Sequence, residues 1–316
     1  MATTIGSPSS TSAGWPHVLA ILTSGTTVIL ILAGGLVTSL GAGLAVPDWP
    51  TTFGYNMFLF PWAKMVGGIF YEHSHRLLGS LVGILTILTA AALWRGESRR
   101  WVSWLGAAAI GLVIVQGILG GLRVVWLKLL FAIFHACVAQ LFFALMVSLA
   151  VFTSKSWIND SDESGDMGRK VRRMCLVTVG LIYVQTIFGA VLRHTGNRLD
   201  AHLLVALLVA THVFWLAALI LRGPSGQGDT RRPANMLWLL LIVQLGLGAG
   251  SYLGKYTAIG DAITPWTIAV LTSGHVVAGA LLFATSIVLA LRLHRTRIYQ
   301  WAASRRAPLS GQVSTP

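Results

Sequence analysis

Charge is scarce in this sequence. Only 10% of its 316 residues are Asp, Glu, Lys or Arg, where a soluble domain carries about 25%. The polar start, residues 1–14, has no basic n-region and no evident cleavage site, so the first apolar segment is expected to be retained. Period-2 alternation is missing too, which removes the case for a membrane β-barrel. What fills the chain is apolar: 55% hydrophobic residues, 12 tryptophans and a mean hydropathy of +0.73. These figures describe a polytopic membrane protein. A net charge of +13 would elsewhere point to nucleic acid. Here the basic residues stand in short clusters between apolar runs, the distribution described by the positive-inside rule, and no nucleic-acid partner is expected.

Eight charge-free runs follow in order: 18–47, 77–94, 101–122, 129–153, 174–192, 201–221, 233–254 and 262–291. Each is near or above the roughly 20 residues that cross a bilayer. Lipid cannot satisfy an exposed backbone, so an all-α protein of eight transmembrane helices is expected. Segments 95–100, 153–173, 222–232 and the tail from Arg292 hold 16 of the 23 Lys and Arg residues, which predicts both termini in the cytoplasm. Within the longest inner loop, residues 160–166 are acidic and polar and read as a solvated linker. The expected organisation is a four-helix half over 1–153, a linker over 154–173 and a second four-helix half over 174–316, with a basic tail. The halves read as tandem, pseudo-symmetric bundles. Val113-Ile114-Val115-Gln116-Gly117 recurs as Leu241-Ile242-Val243-Gln244-Leu245, and Gly34 and Gly41 are echoed by Gly189 and Gly196. Four spans per unit make the repeat parallel.

Histidines strengthen the repeat. His75, His135, His202 and His275 lie on spans two, four, six and eight, each 16 to 19 residues before the inner end of its run. At about 1.5 Å per residue they share a depth roughly 24–29 Å from the inner boundary. Paired imidazoles from facing helices suit a haem iron held in a bundle core. A bare metal ion would want more ligands than spans so poor in carboxylate provide. Covalent c-type attachment is excluded, because no Cys-x-x-Cys-His occurs. Arg76, Arg123, Arg193 and Arg198 lie near the same outer face, where guanidinium groups can meet propionates. His73 faces another side of its helix from His75, His212 sits about 15 Å deeper than His202, and His17 and His294 are expected to be solvated near the ends.

The halves are unequal. A long outer loop, 45–62, rich in aromatics, joins spans one and two and fits either the membrane interface or a lid over an amphipathic substrate. Its counterpart in the second half is nearly absent. Glu72 stands three residues before His75 and four before Arg76, on one helical face with both. Asp200, two residues before His202, is only a rough counterpart. One half therefore reads as built for chemistry and the other for holding a cofactor.

Gly35-Leu36-Val37-Thr38 with Gly41 and Gly43, then Pro47-Asp48-Trp49-Pro50, then Glu72-x-x-His75-Arg76, resembles the haem A synthase family of cytochrome oxidase assembly. With the His-bearing even helices, the likeness runs over about residues 20–293. It implies a membrane oxidoreductase that converts haem O to haem A by successive hydroxylations of a ring methyl to a formyl group. It implies haem b on His202 and His275, substrate haem on His75 and His135, and Glu72 as the catalytic carboxylate. Arg76, by its place next to His75, is expected to be a propionate partner. Expected partners are the bilayer, the haem substrate, a haem O synthase upstream, cytochrome oxidase downstream and an electron acceptor. The expected location is a bacterial cytoplasmic membrane. The chain departs from many relatives in having Val46 where they carry a loop cysteine, and Leu203 where they keep an arginine after the histidine. Its two cysteines, Cys137 and Cys175, lie near opposite ends of their spans and are expected not to pair. His194 is a further candidate for haem contact. Two alternatives predict part of the same pattern: a di-haem b-type cytochrome taking electrons from quinol, and a transporter built of repeats.

Overall fold

The computed structural model describes residues 14–159, 168–223 and 228–304. The acidic stretch 160–166, most of the polar start and the last two arginines lie outside these described residues. Among the described residues ten α-helices follow one another: α1 (Trp15–Ser39), α2 (Gly67–Gly96), α3 (Arg100–Trp126), α4 (Leu129–Phe152), α5 (Lys155–Asn159), α6 (Arg169–Thr195), α7 (Leu199–Arg222), α8 (Gly228–Tyr256), α9 (Pro265–Leu293) and α10 (Arg295–Ser304). All but α5 and α10 are long and apolar enough to cross a membrane. The chain is an integral membrane protein of all-α class.

Local chemistry sets the helix ends. α9 begins where Thr264 caps the Thr267 N–H with its side chain and Pro265 takes the first position, where a missing N–H costs nothing. α1 ends at Ser39, eight residues before the end of its apolar run, because Gly41 adopts φ +67° and turns the chain out of the helix. A Cβ at Gly41 would meet nothing within 4 Å, so only the backbone conformation opposes a side chain there. Gly41→Ala should therefore destabilise the protein by about 1–2 kcal/mol, read as a lower midpoint of thermal unfolding in detergent. An unchanged midpoint would show that this turn is not held.

Helix α1 packs on α2, α2 on α3, α3 on α4, and α4 returns to α1. The same order recurs in α6, α7, α8 and α9, closed by α6 against α9. Helices α1 and α4 of the first ring meet α9, and α4 also meets α6. Within each ring the tight apolar core lies on the side of the histidines away from the 45–62 loop. Val82, Leu93, Phe142, Met146 and Leu149 form it in the first ring, and Ile182, Val213, Leu216, Leu237 and Leu282 in the second. Packing is thus concentrated at one end, which leaves the outer end of each ring for polar side chains. At the end of the bundle away from the 45–62 loop, Arg295 and Tyr299 of α10 both donate to the Trp157 carbonyl of α5, at 2.7 and 2.9 Å. His17 is not simply solvated. Its Nδ1 lies 3.0 Å from the Ala150 carbonyl and 3.3 Å from Thr153 Oγ1, because the C-terminal turn of α4 offers carbonyls without helical partners. His294 caps α9, with Nδ1 2.9 Å from the Ala290 carbonyl. Cys137 and Cys175 are both buried and free.

Candidate active site

Each of the four histidines rests on a glycine of the preceding helix. A Cβ built on Gly34 would lie 2.9 Å from Cε1 of His75, and one on Gly248 would lie 3.0 Å from Cε1 of His275. The same construction gives 3.3 Å from Gly189 to His202 and 3.6 Å from Gly120 to His135. Glycine at these positions lets an imidazole fold flat against the neighbouring helix, where a methyl group would push most of the rings aside.

The rings of His202 and His275 face each other with centroids 6.2 Å apart and planes at 73°. Metal–imidazole bonds run about 2.0–2.1 Å, so two rings bound end-on to one central metal would have centroids about 6–6.5 Å apart. The pair therefore fits a bis-histidine haem. It lines a cavity of about 510 Å³, within the range of small-molecule and cofactor sites. Arg193 and Lys255 stand in its wall. Arg193, however, donates to the Gly35 carbonyl at 2.6 Å and to Ser39 Oγ at 2.7 Å, tying α6 to α1. Lys255 is the basic group of this cavity that sequence reading passed over. Its one signal is a lone cation at the outer end of an apolar run. Arg198 is exposed in the short α6–α7 turn.

In the first ring His75 and His135 are near enough to interact electrostatically, with Arg123 acting on both. The guanidinium of Arg123 lies over Gly43, where a Cβ would come within 2.5 Å of it. The stretch from Glu72 to Arg76 falls within the first turns of α2. Glu72 is only 4% exposed. Its Oε2 accepts the Val46 N–H at 3.0 Å and its Oε1 takes Nη2 of Arg76 at 2.9 Å. Arg76 also donates to the carbonyls of Asp48, Thr51 and Val46 at 2.7, 3.0 and 3.0 Å. The structure thus places Arg76 as the fastening between α2 and the outer loop. Asp200, by contrast, is exposed.

The outer loop is folded down onto the ring. Trp49 covers Gly121 of α3, where a Cβ would come 2.5 Å from the indole. His73 is buried, with Nδ1 3.1 Å from Thr52 Oγ1 and its ring 5.0 Å from that of Phe60. It anchors the loop rather than a ligand. Asp48 organises the turn, accepting from the backbone of Phe53 and Gly54 at 2.7 and 2.9 Å and from the Thr51 hydroxyl. Partial burial raises the Asp48 pKa, but these hydrogen bonds outweigh it and hold the carboxyl below its ordinary value. A depressed folded-state pKa contributes order that is present above the ordinary value of 3.8 and lost as pH falls through the folded one. Amide exchange in residues 48–55 should then be slow and unchanged from pH 7 down to about 4 once intrinsic rates are corrected, and should quicken only below that. Quickening near pH 6 would contradict this role.

Glutamines are the partners that sequence reading missed. Nδ1 of His135 lies 3.1 Å from the Gln116 carbonyl, and Nε2 of Gln116 donates back to the His135 carbonyl at 3.0 Å. Nδ1 of His275 lies 3.2 Å from the Gln244 carbonyl. Gln185 places its amide 3.1 Å from Nδ1 of His202. Gln116 and Gln244 are visible in the sequence as part of a repeated apolar motif. The shared signal is Gln four residues before the glycine seat, and only that spacing also finds Gln185.

Against known proteins, residues 55–199 match the family described as "COX15-CtaA: Cytochrome oxidase assembly protein". The chain is similar to the "Heme A synthase" of Shouchella clausii (strain KSM-K16), 30% identical over 186 residues, which cover 57% of this chain and 60% of that protein. The "Heme A synthase" of Bacillus licheniformis is 27% identical over 57% of this chain and 59% of its own length. That of Halalkalibacterium halodurans is 28% identical over 70% and 72%. The chain thus spans about 60% of the length of the first two relatives. The family match takes in Glu72, His75, Arg76 and His135 and stops short of His202. Residues 55–199 carry the pattern of the cytochrome oxidase assembly family, and the chain is a relative of the heme A synthases.

Proposed function

We propose that this chain is a haem A synthase that oxidises a methyl group of haem O to the formyl group of haem A. The observation that carries the reading is the inequality of the two rings. A buried carboxylate, Glu72, stands beside His75 under a folded outer loop, while the second ring has an exposed Asp200 and a short turn. A di-haem electron carrier needs four histidines but neither the carboxylate nor the loop.

In this reading residues 1–153 form the catalytic half, 154–173 a linker, and 174–316 the cofactor half. His202 and His275 hold haem b, which supplies one-electron chemistry when bound. His75 and His135 take the iron of haem O as substrate. Glu72 receives or holds a proton released as the methyl group is oxidised, the electrons going to a separate acceptor. The Val46 N–H and Arg76 fix the orientation of the carboxylate, and each oxygen keeps a lone-pair site for water or substrate. Arg76 positions Glu72 and the loop. Arg123 and Lys255 are the basic groups best placed for propionates, beside the propionate contact that its place next to His75 suggests for Arg76. The excess of Lys and Arg in the inner segments puts both termini on the cytoplasmic side of a bacterial membrane. Haem O arrives from its synthase, haem A passes to cytochrome oxidase, and a separate acceptor takes the electrons. Expression in a bacterium lacking its own haem A synthase tests the proposal. The absorbance of an a-type oxidase should return, and its continued absence with the protein present in the membrane would contradict it.

A further inference from the structure

Three of the four histidine seats carry a glutamine beside the ring and one does not, and that exception falls on the catalytic side. On each odd-numbered span a glycine carries the ring: Gly34, Gly120, Gly189 and Gly248. Four residues earlier stand Leu30, Gln116, Gln185 and Gln244. At His135 and His275 the backbone carbonyl of that earlier residue accepts from the ring Nδ1, at 3.1 and 3.2 Å. A carbonyl can only accept, so Nδ1 carries the proton and Nε2 is left with its lone pair, which at His275 faces the Gln244 amide at 3.4 Å. At His202 the side chain takes the carbonyl's place. The Gln185 amide lies against the ring, and its Oε1 is buried without a partner. Turning that amide over lets Oε1 accept from Nδ1–H, and so satisfies both groups.

His75 differs. The Leu30 carbonyl faces its Nδ1 as the glutamine carbonyls do elsewhere, yet the nitrogen closes no hydrogen bond of ordinary geometry. The Leu30 carbonyl stands where those of Gln116 and Gln244 do; what Leu30 lacks is the amide. Gln116 shows what the amide adds, since it donates to the His135 carbonyl while the His135 ring bonds to the Gln116 carbonyl. Side chain and backbone exchange hydrogen bonds in both directions, and the helix pair is clasped at the depth of the ring. Between α1 and α2 no such clasp forms.

We propose that Gln116, Gln185 and Gln244 are positioning residues that lock the orientation and tautomer of three imidazoles, and that Leu30 leaves His75 as the one ring free to turn away from the metal it binds. The proposal rests on the reading of His75 and His135 as ligands to the substrate haem. It gives that haem one firm axial ligand and one that yields its place to an incoming small molecule. Outer-shell partners of metal-bound histidines fix the tautomer in this way, and their loss costs about 10–100-fold in metal affinity.

Nitrogen NMR of the full chain in detergent, labelled with ¹⁵N-histidine and free of haem, tests the clasp without reference to function. His135, His202 and His275 should each report a single Nδ1–H tautomer, and His75 an average of two. Leu30→Gln should bring His75 to the Nδ1–H form. Gln116→Met, with Gln116→Asn as a second variant if the first does not fold, should release His135. A single tautomer for His75 in the unaltered chain, or a His135 signal indifferent to position 116, would overturn the clasp. Carbon monoxide binding to the reduced full chain loaded with protohaem tests the release of His75. Leu30→Gln should slow binding about tenfold. An unchanged rate alongside the expected NMR result would overturn the release while leaving the clasp standing.

Discussion

Glu72→Ala should lose conversion of haem O by a factor of about 10²–10⁴, the usual contribution of a positioned general acid or base, while the second ring keeps its haem. The carboxylate is 4% exposed and is shared between Arg76 and the Val46 N–H. Removing one partner of a buried ion pair costs about 3–5 kcal/mol when the other is left without compensation. Arg76 here keeps three loop carbonyls, so the cost should fall at or below the low end. Glu72→Gln separates chemistry from architecture. Its amide oxygen still accepts the Val46 N–H, and it cannot act as a base. Both variants should accumulate haem O by extracted-haem chromatography, with the spectrum from His202 and His275 intact. Full conversion by Glu72→Gln would reduce Glu72 to a support for the loop.

The second large effect belongs to the other ring. His202→Ala or His275→Ala should abolish the stable b-type absorption of the purified protein. The loss should exceed the 10–100-fold that outer-shell changes cost, because one of two facing ligands disappears. His212→Ala is the control on the same helix as His202. Its Nδ1 bonds the Leu208 carbonyl of its own helix at 2.9 Å, and it is not among the residues lining the cavity. Difference spectra of the three variants decide the assignment. Retention of the b-type bands in both ligand variants would remove haem from this cavity.

The eight spans were legible because lipid imposes a simple constraint, and uninterrupted apolar runs of this length have few other uses. The spacing that sets His75, His135, His202 and His275 on glycine seats of the preceding helices was partly legible for a related reason, since helical rise turns residue counts into distance. Two kinds of information were not. The end of α1 depends on which of 34 glycines takes a positive φ, and the apolar run continues past it. The role of Arg76 depends on a loop some 25 to 30 residues away folding back over α2. Adjacency to His75 suggested a propionate, whereas the fold directs the guanidinium to Val46, Asp48 and Thr51. His73 shows the same gap: helical spacing turns it away from His75 but does not reveal Thr52 and Phe60, which it pins. Gln185 was hidden because its neighbours do not repeat the apolar motif around Gln116 and Gln244. Only its distance from Gly189 marks it.

The most direct measurement is the haem content of the protein itself. The full chain is purified from a host that makes haem O and has no other route to haem A, and the extracted haems are identified by mass. Haem A together with protohaem is the predicted result. Protohaem alone, with haem O unchanged in the membranes, would contradict the account and leave a di-haem electron carrier in its place.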